Sequence, residues 1–458
     1  MSANATAAST PPDSRTWRIR IGSLLIPFAH AAGMNTVTVL GLRFLTDSLA
    51  VSAGVAGSIF AMVKIYDGLL DPAVGAWSDR TKSKWGRRLP YLFAGGLVMP
   101  LGLAMLFGTP DFTSVLLAQL FITVALAIHA TGYTLLTIPG FAMVVEASGD
   151  HHERTRLMAW RVYGNSGGTL VGTTIPAWLL SQLGTGRGAH LGMALTIGAI
   201  VLAASLTAVW LLRDAPRTAP DPNARRYGLG QQVRLAWDNV PFRILAIAHI
   251  FLLLGTAIGS AGMAYFSRYV LKAGDGWLGT YFLVSTLAAV AATPVWVRLT
   301  ARIGRKAGYM ASLMIYGTMH LAWLTAAHGE PSGILMARSV MIGIAAGGMI
   351  LCAYALLSDA VRYDYIHSGE RREGAFAGFT TLFDKLSSAL ALAVMGWFLG
   401  TMGYVSSSTG ASAAQGDGAI LAIRICVSII PALSMLCAIA AVSRYRLDPE
   451  SLIEPTAA

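Results

Sequence analysis

The chain has 458 residues, of which 55% are hydrophobic and only 12% are charged, and its mean hydropathy is +0.58. Soluble proteins carry roughly 25% charged residues, so this composition excludes an ordinary water-soluble globule. The net charge of +11 does not indicate a nucleic-acid partner, because Lys and Arg concentrate in alternate connections between apolar segments. This bias marks the cytoplasmic loops of membrane proteins and predicts that both termini are cytoplasmic.

Apolar segments long enough to span a bilayer recur along the whole chain. A bilayer core needs about 20 residues of helix, and the strict alternation of barrel strands is absent. We therefore predict an all-α membrane protein with twelve transmembrane helices. The segments cover approximately residues 21–46, 52–76, 91–109, 114–146, 157–184, 191–212, 242–270, 277–300, 307–328, 332–358, 373–403 and 418–443.

The chain divides into two halves. The longest polar interval, residues 213–241, separates six segments from six. A basic, glycine-containing connection follows the second segment of each half, which indicates a duplicated six-helix unit, as in the major facilitator superfamily. The predicted organisation is a disordered tail over 1–14, an N-terminal half over 15–212, a cytoplasmic linker over 213–241, a C-terminal half over 242–445 and a tail over 446–458.

Two aspartates, Asp67 and Asp71, lie in the second apolar segment. Carboxylates within a membrane helix are costly and are usually retained for a function. Their spacing puts both on one helix face, and Lys64 lies one turn earlier on the same side. Such a group can bind a cation or a proton and exchange it against the lysine, which favours an ion-coupled transporter. The alternative is a structural ion pair of the aspartates with Lys64 or Lys385.

Motifs spread over about residues 20–445 resemble those of the glycoside–pentoside–hexuronide:cation symporters, the group containing melibiose permease. They occur in the order and spacing of that family. They are Tyr66-Asp67-Gly-Leu-Leu-Asp71-Pro72, Ser78-Asp79-Arg80, Lys84-Trp85-Gly86-Arg87-Arg88, the segment from Asp150 to Arg161, Asn239-Val-Pro241-Phe242, Ser358-Asp359-Ala-Val-Arg362-Tyr363-Asp364, Gly369-Glu370-Arg371-Arg372-Glu373, and Lys385.

The resemblance implies a coupling-cation site and a substrate site. The expected cation-binding residues are Asp67, Asp71, Thr134 and Lys385. The candidates for contact with substrate are Lys64, Thr137, Phe141, Arg161 and Lys385, with His30 and Asn35 added because they are polar residues in the first apolar segment. Arg161 could instead join a cytoplasmic network with Glu153, and His30 or Asn35 could hydrogen-bond to another helix.

Some positions depart from the family pattern. Ala31 and Thr137 stand where melibiose permease has two aspartates that accept sugar hydroxyls, and Phe141 stands where it has a tryptophan. Loss of two negative charges in a poorly hydrated cavity favours a substrate with an anionic group. Leu70 replaces an asparagine oxygen beside the cation site, so we expect H⁺ rather than Na⁺ as the coupling ion.

Charged residues at the cytoplasmic side are expected to form an inner gate whose ion pairs break when it opens. The alternative is that they only set topology. These residues are Asp79, Arg80, Arg87, Arg88, Glu146, Asp359, Asp364, Arg371, Arg372 and Glu373.

The sequence therefore predicts a cation-coupled (H⁺ or Na⁺) symporter of a glycoside, sugar or uronide that works by alternating access. The alternatives are a transporter of an amphipathic anion such as a lysolipid, and a transporter-derived sensor. Hydrolase, zinc-protease and P-loop motifs are absent, so no enzyme is expected. We expect no cofactor, and no metal site at His151-His152-Glu153, which lacks the spacing of a zinc motif. The expected setting is a monomer in the inner (plasma) membrane, with a small-molecule substrate, a coupling cation and lipid as its partners.

Overall fold

The computed structural model describes residues 14–147, 151–215, 237–368, 373–408 and 413–447, and the regular structure of these residues is helical. The helices of the N-terminal half follow the predicted segments closely. They are α1 (Ser14–Ser48), α2 (Ala53–Arg80), α3 (Leu89–Phe107), α4 (Val115–Glu146), α5 (His151–Leu183) and α6 (Arg187–Leu212).

The C-terminal half repeats the six-crossing plan. A π-helical turn, Phe266–Val270, continues α7, and the last crossing consists of two helices. The helices are α7 (Val240–Tyr265), α8 (Gly274–Ile303), α9 (Arg305–Ala322), α10 (Ser332–Ser368), α11 (Glu373–Thr401), α12 (Asp417–Val427) and α13 (Ile429–Ser443).

The predicted fold class is confirmed. Among the described residues, ten helical stretches are long and apolar enough to cross a membrane, with α12 and α13 forming one of them. Helices α5 and α9 are the two crossings that do not qualify by composition. The first turns of α5 are rich in charged and histidine residues, and α9 is short and begins with Arg305 and Lys306. Both are nevertheless held in the bundle, α5 against α1 and α8, and α9 against α10 and α13.

The predicted domain boundaries remain predictions. Helix α6 ends at Leu212 and α7 begins at Val240, which agrees with six helices on either side of the linker. Most of the linker, residues 216–236, and most of both predicted tails lie outside the described residues.

The halves meet along two seams, α2 against α11 and α5 against α8. Glycines allow the close approach at the first seam. A Cβ atom on Gly57 would lie 2.8 Å from the carbonyl oxygen of Leu392, and one on Gly396 would lie 2.4 Å from that of Ala53. This backbone contact brings the lysine of α11 against the carboxylates of α2.

The break between α12 and α13 has a local cause. Proline has no N–H and clashes with the carbonyl four residues earlier, so Pro431 cannot serve the carbonyl of Val427. His320 of α9 donates Nδ1–H to that oxygen instead, at 2.6 Å. The interruption at Ser428 is thus stabilised by a hydrogen bond between helices.

Candidate functional site

Helices α2 and α4 bring two carboxylates and one hydroxyl together. Oγ1 of Thr134 lies 2.8 Å from Oδ1 of Asp67 and 3.0 Å from Oδ1 of Asp71, so both aspartates share one hydroxyl donor. Asp67 is fully buried and the side chain of Asp71 is 14% exposed. Their four-residue spacing makes this possible because it places both on one face of α2.

Lys385 completes this group from the other half of the molecule. Its Nζ lies 2.9 Å from Oδ1 of Asp67 and 2.6 Å from Oδ1 of Asp71. The ammonium also donates to the backbone oxygen of Asp67, at 3.0 Å. The four residues expected at the cation site, Thr134 included, therefore meet at one point on the α2–α11 seam.

Lys64 lies beside the same group. Its Nζ is 3.8 Å from Oδ2 of Asp67, and that oxygen is buried without a hydrogen-bond partner. A cavity of about 20 Å³, lined by Lys64, Asp67 and His129, lies here, enough for one water-sized species. A proton or a small cation held by the two carboxylates could therefore replace the charge of Lys385.

Tyr133 lies between the two lysines of this candidate cation site and His30 of α1. The ammonium groups of Lys64 and Lys385 lie 5.8 Å and 5.7 Å from the centre of its ring. His30 of α1 packs edge-on against the same ring, with 5.4 Å between centroids. Sequence reasoning missed Tyr133, although its spacing of four from Thr137 places the two on one helix face.

Arg161 is a half-buried cation facing this region. Its guanidinium lies 5.1 Å from the ring centre of Phe141, and its Nη1 is buried without a hydrogen-bond partner. Within the described part of the chain, Glu153 pairs with Arg20 and Arg156 rather than with Arg161. These contacts therefore do not support the alternative in which Arg161 joins a cytoplasmic network through Glu153.

Two other candidates make contacts within the protein. Asn35 donates Nδ2–H to the carbonyl of Ala31 at 2.9 Å and to Thr169 of α5 at 3.3 Å. Thr137 donates its hydroxyl to the carbonyl of Tyr133, at 2.8 Å. Their contact with substrate, like that of His30, stays a prediction.

Comparison with known proteins decides the family. A family model described as MFS/sugar transport protein matches residues 22–449. The chain belongs to this family. It is a multi-pass membrane transporter of the symporter type and not an enzyme.

Relatives of this transporter extend along nearly the whole chain. The uncharacterized symporter YnaJ of Bacillus subtilis is 28% identical, covering 90% of this chain and 88% of the relative. The putative glycoside/cation symporter YagG of Escherichia coli is 24% identical, covering 88% and 86%. The putative sulfoquinovose importer of Salmonella typhimurium is 26% identical, covering 91% and 88%.

A solved structure shares the transporter's fold. A bacterial homolog of the human lysosomal transporter Spinster, in an inward-facing conformation, superposes with a TM-score of 0.69 and is 14% identical, covering 96% of this chain and all of that one.

Charged residues at the inner side of the transporter form ion pairs. Where both partners are described, they belong to the same half. In the N-terminal half, Arg88 contacts Asp79 at 2.6 Å and Glu146 at 2.9 Å, and Arg87 contacts Glu146 at 3.1 Å. In the C-terminal half, Asp359 contacts Arg305 at 2.5 Å, a partner that sequence reasoning did not assign.

The other predicted inner-gate residues have fewer described contacts. Arg80 is exposed at the end of α2, and Asp364 lies 3.5 Å from the hydroxyl of Ser368. Arg371 and Arg372 lie outside the described residues, as does the side chain of Glu373. The gating role of the whole set stays a prediction.

The outer ends of the two halves are joined by a buried charge cluster, which sequence reasoning missed. Arg43 of α1 is 1% exposed and lies 2.5 Å from Oδ1 of Asp275, at the start of α8. It also donates to the carbonyl of Ala264 on α7. The sequence did hold a sign of this cluster. Arg43 and Asp47 are charged residues at the end of an apolar segment, where an unpaired charge is costly.

Asp47 accepts hydrogen bonds from the C-terminal half. Tyr269 donates to its Oδ2 at 2.9 Å and Tyr404 donates to its Oδ1 at 2.5 Å, while Arg268 lies 3.6 Å away. Arg268 and Tyr269 belong to the π-helical turn, a feature frequent at functional sites. We call this group the outer lock, because its contacts join the two halves at the outer side; its members are Arg43, Asp47, Arg268, Tyr269, Asp275 and Tyr404.

Breaking the outer lock should open the outer side. In Arg43→Gln, Asp275 is left buried without its counter-ion, which costs about 3–5 kcal/mol, so the closed arrangement loses stability relative to a hydrated open one. We expect spin labels on cysteines introduced at Pro110, in the α3–α4 connection, and at Asp417, the first residue of α12 in the opposite half, to gain a longer-distance population in double electron–electron resonance.

The matched control is Arg338→Gln, which removes an ion pair with Glu330 inside the C-terminal half. Its distance distribution should match that of the wild type. A distribution for Arg43→Gln that also matches the wild type would show that the outer lock does not hold the halves together.

Proposed function

We propose that this protein is a cation-coupled symporter that carries a hydroxylated anionic substrate, a sugar acid or sugar sulfonate, by alternating access. The observation that carries the proposal is the bridging of Asp67 and Asp71 by Lys385 across the seam between the halves. A cation that displaces this ammonium changes a contact between halves, which links ion binding to their movement.

The proposed coupling step follows from charge. With no ion bound, the ammonium groups of Lys385 and Lys64 balance the charges of the two carboxylates. When a proton or Na⁺ binds between Asp67 and Asp71, with the hydroxyl of Thr134 as a further oxygen ligand, the ammonium of Lys385 is repelled and released. A buried charge without its partner is costly, so release is favourable only when the ion is present.

The proposed substrate class rests on Arg161. It is a half-buried cation whose Nη1 is buried, and the structure gives it no ion-pair partner among the described residues. A carboxylate or sulfonate of the substrate could supply that partner, and a charge-assisted hydrogen bond to arginine is among the strongest available. The names of the relatives agree with a hydroxylated substrate, and sulfoquinovose is a sugar sulfonate.

The first prediction from the proposed function tests the charge of the substrate. Purified protein should bind glucuronate and sulfoquinovose more tightly than the neutral analogues glucose and 6-deoxyglucose in a thermal-shift or calorimetric titration. Arg161→Gln should weaken binding of the anions about tenfold or more and change binding of the neutral sugars by less than about twofold.

Arg156→Gln is the matched control, because Arg156 lies on the same helix but is exposed and contacts Glu153. It should bind both classes as the wild type does. Equal losses for anions and neutral sugars in Arg161→Gln would mean that Arg161 has a structural role.

A second prediction concerns coupling. In proteoliposomes, Asp67→Asn and Asp71→Asn should each abolish uphill accumulation of the tightest ligand of that panel, since a neutral amide cannot compensate the charge of the ion. Downhill exchange should persist. Asp111→Asn, a change to an exposed outer carboxylate, is the control. Gradient-driven accumulation at the wild-type rate in either variant would contradict the assignment.

A third prediction concerns the ion. A hard cation is held by several oxygen ligands, and Leu70 contributes none beside Asp71. Uptake should therefore respond to an imposed pH gradient, inside alkaline, in buffer without sodium. An absolute requirement for Na⁺ together with no response to the pH gradient would assign Na⁺ as the coupling ion.

A further inference from the structure

A second acid–base pair lies close to the cation site in the C-terminal half. Nε2 of His249 on α7 lies 2.7 Å from Oδ1 of Asp384 on α11. Asp384 precedes Lys385 directly, and the two side chains diverge: Lys385 points to the carboxylates of α2, and Asp384 to α7. The side chain of Asp384 is 47% exposed, whereas that of Lys385 is 6% exposed.

The exposed side of Asp384 faces the interior of the transporter and not the lipid. The large apolar residues that α11 exposes lie roughly 80–160° around the helix from Asp384 at 100° per residue; they are Leu386, Leu390, Val394 and Trp397. Asp384 is also near enough to Tyr133 of α4 and Tyr354 of α10 to interact with both electrostatically. These two tyrosines come from opposite halves, so Asp384 lies between the halves.

His249 engages only one of the two carboxylate oxygens. Among the described residues, Oδ2 of Asp384 has no hydrogen-bond partner in the protein. A carboxylate fixed through one oxygen presents the other in a defined direction, and an ionised carboxylate only accepts hydrogen bonds. Its natural ligand is a hydroxyl group.

We propose that Asp384 is a substrate-binding residue that accepts hydroxyl groups of the transported molecule, with His249 as the residue that positions it. This inference rests on the proposed function, because it assigns the polyol part of that substrate. Arg161 of the N-terminal half binds the anionic group, and Asp384 of the C-terminal half binds hydroxyls.

Two candidate positions of the N-terminal half, Ala31 and Thr137, offer those hydroxyls no carboxylate. Ala31 has no polar group and is buried, and the hydroxyl of Thr137 donates within its own helix. The carboxylate of Asp384 thus supplies an acceptor from the facing half. One substrate then contacts both halves, as a molecule that controls their relative position must.

The alternative is that the pair only clamps α7 to α11. Those helices already pack through Phe242 and Phe376, whose ring centroids are 4.7 Å apart. A clamp has no need of a second, water-facing carboxylate oxygen. The two roles are distinguished by measuring whether the affinity for a particular ligand hydroxyl depends on the side chain of Asp384.

The experiment is a cycle of protein variants and deoxy ligands, measured by calorimetric titration of purified protein. The ligands are glucuronate and its 2-, 3- and 4-deoxy analogues, with glucose and its corresponding deoxy analogues as a neutral series. For the wild type, loss of the hydroxyl that meets Asp384 should weaken binding about tenfold or more. Asp384→Asn should weaken the parent ligand by a similar factor and bind that deoxy analogue within about twofold of the wild type.

Variants of His249 provide the second measurement. His249→Gln keeps an N–H donor that reaches Asp384 and should retain most of the hydroxyl discrimination, whereas His249→Leu should lose it. Ser388→Ala is the matched control one turn along α11, because its hydroxyl donates to the backbone carbonyl of Asp384 and not to the carboxylate. It should leave every ratio unchanged.

The outcomes separate this inference from the proposed function. If Arg161→Gln loses the anions while Asp384→Asn keeps the wild-type discrimination among hydroxyls, the function stands and the role of Asp384 is refuted. If the neutral series shows the Asp384 effect and anions have no advantage, Asp384 is confirmed and the anionic substrate class is wrong. If the wild type binds none of these hydroxylated ligands, both are overturned.

Discussion

The contact between Lys385 and the pair Asp67 and Asp71 is the interaction on which the rest of this transporter depends. It places opposite charges from the two halves inside the membrane, where removal of one partner costs about 3–5 kcal/mol. Lys385 therefore cannot leave the carboxylates unless another positive charge takes its place. Because the lysine belongs to α11 and the aspartates to α2, this constraint ties the ion to the seam along which the halves would have to move.

The cost of separating buried charged partners also applies to the outer lock, at the outer side of the molecule. Arg43 and Asp47 come from the N-terminal half and the partners named above from the C-terminal half, so the halves are joined at the outer side by contacts that hydration can replace once they separate. The inner-side pairs whose partners are both described lie within one half. Such pairs hold together helices of one half and do not themselves join the two halves.

Sequence reasoning could predict what is local or repeated. The length of apolar segments predicted the twelve crossings, and the spacing of Asp67 and Asp71 predicted that they share a face. The meeting of these residues with Thr134 and Lys385 came from the family resemblance, because residues 318 positions apart, as Lys385 and Asp67 are, carry no local signal of contact. The pairing of Arg43 with Asp275 was missed for the same reason.

The partner of Asp384 shows where sequence reasoning fails most. Adjacent opposite charges in a sequence, such as Asp384 and Lys385, suggest that the two side chains neutralise each other. On a helix, neighbours point about 100° apart, so the two side chains serve different surfaces: the lysine reaches the α2 carboxylates, and the aspartate reaches His249. Adjacency in the sequence was therefore a poor guide to the partner of Asp384. Only the packing of α7 against α11 determines that His249 is this partner.

This divergence gives α11 two connected roles. In the proposed mechanism, its lysine responds to whether the carboxylates of α2 hold an ion, and its aspartate, the preceding residue, faces the space between the halves. A ligand can shift a conformational equilibrium only by its differential affinity for the states. A substrate that contacts Asp384 while an ion displaces Lys385 would act on the same helix as that ion. Coupling between ion and substrate then needs no long pathway, since one helix carries both contacts.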